Sequence, residues 1–421
     1  MANTLLTIKD ITREALAVLH EEVQLAKHAT RKFEDRFGKK SGQIGLSLDI
    51  RKPPKYSVGT TADITALNGD TVEDYVTLSV TTRRNVKMTF SSEDLSLKIN
   101  DFSKQFVRPA LARLAREIDL VGFGVLKTAA NSRVAHDVST DLAFADYLAM
   151  NAKLTQQLAN ENDRTLFADA TTMAAVVNAN KGLFQAAAEI GKQYEKGLMG
   201  ISGGFDWIGT QSAGYLNYAA TPITTIGTVT ASLVPVGSVT YEGANVINFS
   251  GATASATMVA GQGFTIPGVY AIDPETQLQL PNLYTFIAAA DAVSTVGGVL
   301  AVTVGAPIYT VAGSGRTKAN VSALPLVGAT GAALTETGIV ASKTSPLAFG
   351  IQQDTLALGV IGLEVPGGVD MGASENFEGL GVRIIRVYDV NLDIWTCRVD
   401  VQFGWAVLRN ELLTSIVGKQ G

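Results

Sequence analysis

The chain has 421 residues, 46% hydrophobic and 17% charged, with 41 glycines and 12 prolines, more than one ordinary core holds, so two or three domains are expected. Its formal charge is −5 and no basic stripe runs along the sequence, which argues against a dedicated nucleic-acid reader. The single cysteine, Cys397, excludes an intrachain disulfide and a cysteine-held zinc site.

The opening MANTLLTIKDITREAL meets charged residues early, so no signal peptide is expected. No stretch of about eighteen uncharged apolar residues suits a membrane helix. A soluble chain made in the cytoplasm, with no membrane partner, is the expectation. Residues 9–28 carry Ile11, Ala15, Leu19, Val23 and Ala26 at three- and four-residue steps, an amphipathic helix. So short a helix needs a partner surface, its own domain or a neighbouring subunit.

Residues 44–52 alternate as a strand that ends at Pro53 and Pro54. Between about 55 and 90 the sequence predicts a long hairpin around Asn68–Gly69–Asp70, because Asn-Gly suits a two-residue turn. The alternation of Val76, Leu78 and Val80 against Tyr75, Thr77 and Ser79 marks its second limb. Such an arm has little core of its own and is expected to reach onto something else. Pro109 can open a helix that carries Leu111, Leu114, Ala115, Ile118, Gly122 and Val125 to about Ala130. Ser139–Thr140–Asp141 offer capping chemistry for a second helix over 141–160. A strand over 165–168 precedes Asp169, which can cap a third helix over 171–180.

Residues 211–350 hold eight charged side chains, against 65 in the other 281 residues. Their short Val/Ile/Thr runs, broken by glycine, predict an antiparallel barrel or sandwich inserted into a mixed α/β host. After about 350 the charged, alternating strands return as GVRIIRVYDV and WTCRVDVQFGWAVL.

Catalytic constellations are absent from the sequence. Only His20, His28 and His136 could serve as a base or ligand. The first two are eight residues apart, beyond the four-residue step of a helical metal pair. No G-x-S-x-G elbow occurs. Gly313–Lys318 lacks P-loop spacing, and Gly261–Gln262–Gly263 lacks the third dinucleotide-binding glycine; turns explain both. Asp354, Glu364, Asp370, Glu375 and Glu378 lack the calcium-loop pattern and suit a solvated or interface face. Trp207, Trp395 and Trp405 are expected in the core. No catalytic residue, cofactor or metal is expected.

Several strings, in order, resemble coat proteins of P-twenty-two-like tailed phages: MANTLLT, ITREALAVL, RKPPKY at 51–56, GLMGISGGFDWI at 197–208, GATASATMVAGQGFTIPGVYAID at 251–273, and VRIIRVYDV with CRVDVQFGWAVLRNEL at 382–412. Gln262 stands where that family more usually carries an aspartate. The resemblance implies an α+β, HK-ninety-seven-type phage capsid fold with an inserted antiparallel β-barrel domain. It divides the chain into an N-terminal arm helix (1–30), an extended hairpin loop with flanking strands (31–90), a peripheral domain with a spine helix (91–140), an axial domain (141–222), the inserted β-domain (223–345), and C-terminal strands completing the axial and peripheral domains (346–421).

It further implies a major capsid protein, not an enzyme, that self-assembles as pentamers and hexamers into an icosahedral shell. The shell encloses double-stranded DNA without sequence-specific binding. Implied partners are a scaffolding protein, a portal and a decoration protein, with the protein made in the bacterial cytoplasm and residing in the virion. Asn68, Gly69 and Asp70 at the hairpin turn, with Arg83 and Arg84, are the inter-subunit contact residues this predicts. The alternatives are a shell protein of a bacterial nanocompartment, which would carry a cargo groove and lack so large an insertion, and a β-rich adhesin or an unrecognised enzyme.

Overall fold

The helices and strands follow from where apolar side chains recur. The structure, a computed structural model, describes residues 16, 19, 23–30, 47–53, 63, 75–91, 108–130, 132–180, 201–231, 245–305, 308, 320–322, 328–377 and 380–421. In chain order the strands are β1 (Ser47–Arg51), β2 (Tyr75–Ser79), β3 (Thr82–Ser91), β4 (Arg164–Ala168), β5 (Phe205–Gly209), β6 (Thr228–Ala231), β7 (Asn245–Ser250), β8 (Gly263–Ile272), β9 (Gln279–Ile287), β10 (Leu300–Val304), β11 (Thr344–Gln352), β12 (Leu356–Ile361), β13 (Met371–Phe377), β14 (Leu380–Asp389), β15 (Ile394–Val407) and β16 (Leu413–Val417). The α-helices are α1 (Arg108–Ala129), α2 (Phe144–Gln156) and α3 (Ala170–Asn180), and shorter pieces are given below by residue.

The chain divides into two units, with α1 belonging to the first as far as Gly122 and to the second from Phe123. In the first unit, β15 is central. It pairs antiparallel with β3 over ten residues, with β14 over seven and with β12 over six, and β13 continues the sheet beyond β14. Alternation explains the layering. Cys397, Val399, Val401, Phe403 and Trp405 of β15 are buried on one face. The buried stripe of α1, Leu111, Leu114, Ala115 and Ile118, recurs at helical spacing. Trp405 joins the two layers by donating Nε1–H to the Ile118 carbonyl at 3.1 Å. Each such fully buried leucine or isoleucine contributes about 1.5–3 kcal/mol. β1 and β2 pair as a small ribbon, whose Leu48, Ile50 and Leu78 pack with Val80, Ala357 and Ala406.

The N-terminal segment differs in part from the expected helix over 9–28. Leu16 and Leu19 are helical, but Leu25–His28 form a 3-10 turn and Thr30 bridges to Ala357. The other residues of that expected span, apart from Val23 and Gln24, which are not helical, lie outside the described residues, as does Asn68–Gly69–Asp70.

The second unit holds a sheet in the order β16-β11-β4-β5 and then Ile201–Ser202, with Tyr215–Asn217 also on β11. β4 and β5 run parallel, and the other pairs are antiparallel. Tyr147, Met150 and Leu154 of α2 pack with Leu166, Met173, Trp207 and Ile416. Phe123 meets Phe167 edge-on at 5.3 Å and stacks with Phe349 at 5.9 Å. Helix α2 starts at Phe144, later than predicted, because Asp137 takes Ser139 N–H and Oγ–H and holds that stretch in a turn. Asp146 then accepts the Ala143 N–H at 2.9 Å. Asp169 accepts the Thr171 N–H at 3.0 Å and caps α3 as predicted.

The low-charge region folds as small antiparallel sheets, β6-β7-β10 and β9-β8 with Ala333–Leu334, plus a Thr257–Met258/Ala292–Val293 pair. They surround one core that includes Ile247, Phe249, Phe264, Phe286 and Val302. Its rings form a chain, Phe249 to Phe264 at 5.6 Å and Phe264 to Phe286 at 5.4 Å.

Candidate functional site

Strand alternation gives neighbouring arginines different surroundings. Arg83 and Arg84 lie on opposite faces of β3. Arg84 sits on the α1 side, with Nε 3.8 Å from Glu117 Oε2, and Glu117 also takes Arg113 at 2.5 Å. Arg83 lies on the other face, where its Nη2 reaches Asp400 Oδ2 at 3.2 Å. Asp400 gathers two more guanidiniums there: Arg383 Nη2 donates at 2.6 Å and Arg398 Nε at 2.7 Å. Its side chain is 0% exposed although Arg83 and Arg398 are 40% and 44% exposed. Burial alone would raise its pKa. The hydrogen bonds and charges of Arg383 and Arg398 outweigh that and hold the carboxyl below the ordinary aspartate value.

Pairing register completes this face. Lys87 stands directly across from Arg398, Asn85 across from Asp400, and Arg83 across from Gln402, while Arg383 is across from Asp400 on the other side. The linear sequence shows no basic stripe, but the fold builds one from Arg83, Lys87, Arg383 and Arg398. Sequence reading missed it because the contributors are separated by up to 315 positions (398 − 83). Of the predicted contact residues, the structure describes Arg83 and Arg84, each paired with an acid of its own chain.

A second arrangement fixes the N-terminal segment. Asp119 of α1 is buried and accepts the backbone N–H groups of Gln24 at 3.1 Å and Leu25 at 3.2 Å. Burial pushes its carboxyl up to about 7, opposed by those two hydrogen bonds and by the Lys27 charge. One turn on, Gly122 allows close approach: a Cβ there would meet Leu25 Cδ2 at 2.5 Å and Trp405 Cε2 at 3.0 Å.

A third lies within the second unit, at the foot of the low-charge region. Arg133 and Glu336 form a buried ion pair at 2.6 Å. Arg133 also donates Nε–H to Ser415 Oγ at 3.0 Å and Nη1–H to the Gly261 carbonyl. Glu336 accepts the Gly263 N–H at 3.3 Å. Parallel pairing of Glu336–Thr337 with His136–Asp137 runs alongside, and Gln420 exchanges two hydrogen bonds with the Val340 backbone. Burial, then the Arg133 charge, lowers Lys153 to about 8. Arg133 Nη2, Gln262 Nε2 and Thr335 Oγ1 have no hydrogen-bond partner among the described residues. Gly261 takes φ +89 where a Cβ would meet Lys127 Cε at 2.5 Å, so the Gly-Gln-Gly segment is a turn.

Among the described residues no group of three His, Cys, Asp or Glu could hold a metal ion. His136 Nδ1 lies 3.6 Å from Asp146 and its Nε2 3.2 Å from the Thr140 carbonyl. Burial raises the Cys397 thiol, against the nearby Arg386 charge. Trp207 and Trp405 are buried, and half-buried Trp395 carries Arg386 over its ring at 4.5 Å. No described helix is long and apolar enough to cross a membrane.

These ion pairs and the buried carboxylates tie elements of the chain to one another. Residues 1–418 match the family model described as P22 coat protein, gene protein 5, and the chain belongs to that family. It is therefore a tailed-phage major capsid protein of α+β structure, a self-associating component of the virion and not an enzyme. Similar solved structures include one from Mycobacterium phage Che8, at 9% identity over 94% of this chain and 90% of that one, with a TM-score of 0.47. The capsid of Ralstonia phage GP4 is 7% identical over 95% and 89%, with a TM-score of 0.45. The PhiM1 mature capsid is 7% identical over 90% and 84%, with a TM-score of 0.43. No curated protein matches the chain in sequence.

Proposed function

We propose that this coat protein builds an icosahedral shell of pentamers and hexamers around double-stranded DNA. The single observation that carries this is the family match over 1–418. One chain in two ring sizes needs contacts that tolerate small changes of angle, and arms that add strands or helices to a neighbour keep their hydrogen bonds while they pivot. Many weak repeated contacts then give a stable shell, and each ring closes through heterologous interfaces.

In this reading residues 1–30 and 31–90 are the arm and the extended loop. Asn68, Gly69 and Asp70 at the loop turn, with Arg83 and Arg84, meet neighbouring subunits. Residues 91–140 and 141–222 are the peripheral and axial domains, completed by 346–421, and residues 223–345 form a β-barrel domain on the outer surface. The separate apolar core of that region supports its reading as a domain. A scaffolding protein, a portal and a decoration protein are the further partners, and the protein is made in the host cytoplasm. The net charge of −5 suits a wall that must let DNA move during packaging.

Image reconstruction of shells from the co-expressed gene cluster tests this. Rings of five and six subunits with the 223–345 density outside are expected. An open tube, or a shell with that density inside, would contradict it.

A further inference from the structure

We propose that the face of the β13-β14-β15-β3 sheet bearing Arg83, Lys87, Arg383 and Arg398 docks a carboxylate-bearing segment of a second copy of this chain, with Lys87 and Arg398 as its receiving groups. The proposal rests on the reading of the chain as a shell subunit.

Like charges directly opposite one another on paired strands are destabilising. Lys87 and Arg398 are such a pair, both exposed. Arg398 has one oxygen of Asp400, whereas Lys87 has no ion-pair partner among the described residues. A carboxylate seated between them relieves the repulsion and takes charge-assisted hydrogen bonds from both. Asp400 meanwhile holds the guanidiniums of Arg83, Arg383 and Arg398 in fixed positions, so little side-chain freedom remains to be lost on docking.

Charge complementarity selects a second copy as the occupant. The four cations, set against the Asp400 carboxylate, leave +3 (4 − 1). A chain of formal charge −5 then carries −8 elsewhere (−5 − 3), so the rest of another copy presents an excess of carboxylates.

The test uses shells assembled from equal amounts of isotopically light and heavy coat protein, treated with a zero-length carbodiimide that joins lysine amines to nearby carboxylates. Lys87 is expected to be joined to an Asp or Glu peptide of the coat protein in mixed light–heavy pairs. Lys87 joined only within one chain, joined to a different protein, or left open to amine reagents would overturn the proposal. Lys87→Glu gives a second measure. Shell yield at low salt is expected to fall by about tenfold and to recover partly at high salt, where such contacts are screened. The melting temperature of the unassembled protein should stay unchanged. Unaltered shell yield, or loss of DNA binding alone, would overturn the proposal. Failure of the wild-type protein to form shells would overturn the underlying reading, and the proposal with it.

Discussion

Asp400 and Asp119 are both buried aspartates in the first unit, and their surroundings push them in opposite directions. Asp400 is held ionised by arginines. Its contribution to stability is present above the ordinary value of 3.8 and is lost as pH falls through the lower folded value. Asp400→Asn should cost about 2 kcal/mol at neutral pH, less than the 3–5 typical of a broken buried pair because two of the arginines are partly solvated. The urea midpoint of the unassembled protein measures this, and the difference between variant and wild type should shrink in acid. Asp119 behaves inversely. The native carboxyl keeps its proton up to about 7, whereas the unfolded chain loses it near 3.8. Stability should therefore fall as pH rises between those values and level off beyond them. Asp119→Asn is expected to flatten that slope in melting temperature. An unchanged slope would mean that the Asp119 carboxyl is not buried in the way described.

At the scale of elements, the sequence was legible wherever local chemistry decided the outcome. Pro109 and the stripe Leu111, Leu114, Ala115 and Ile118 predicted α1 closely, and Asp169 predicted the start of α3. The start of α2 was misread because Asp137 competes for the same stretch, binding Ser139 before a helix can begin. The Arg133–Glu336 pair was illegible, since nothing local marks two charges 203 positions apart as partners. Its energetics predict a specific pattern. Arg133→Met and Glu336→Leu should each cost about 3–5 kcal/mol, because each leaves one buried charge uncompensated. The double variant should cost less than the sum, an interaction readable from denaturant midpoints at constant slope. Simple additivity would mean that the two residues do not act as a pair.

For the whole molecule, the order of the resembling strings along the chain identified the family, and the match over 1–418 establishes it. The single cysteine excluded an intrachain disulfide, but composition hid the distribution of charge. A net −5 reads as uniformly acidic until strand register brings four cations onto one sheet face. Low charge and frequent glycine marked out the 211–350 region, yet its division into small sheets follows from pairings that no local motif encodes.

The most direct measurement is electron microscopy of the protein expressed together with its neighbouring genes. Closed polyhedral shells built from this chain are the predicted result, and their diameter gives the subunit number. Only monomers or shapeless aggregates in that sample would contradict a shell-forming coat protein.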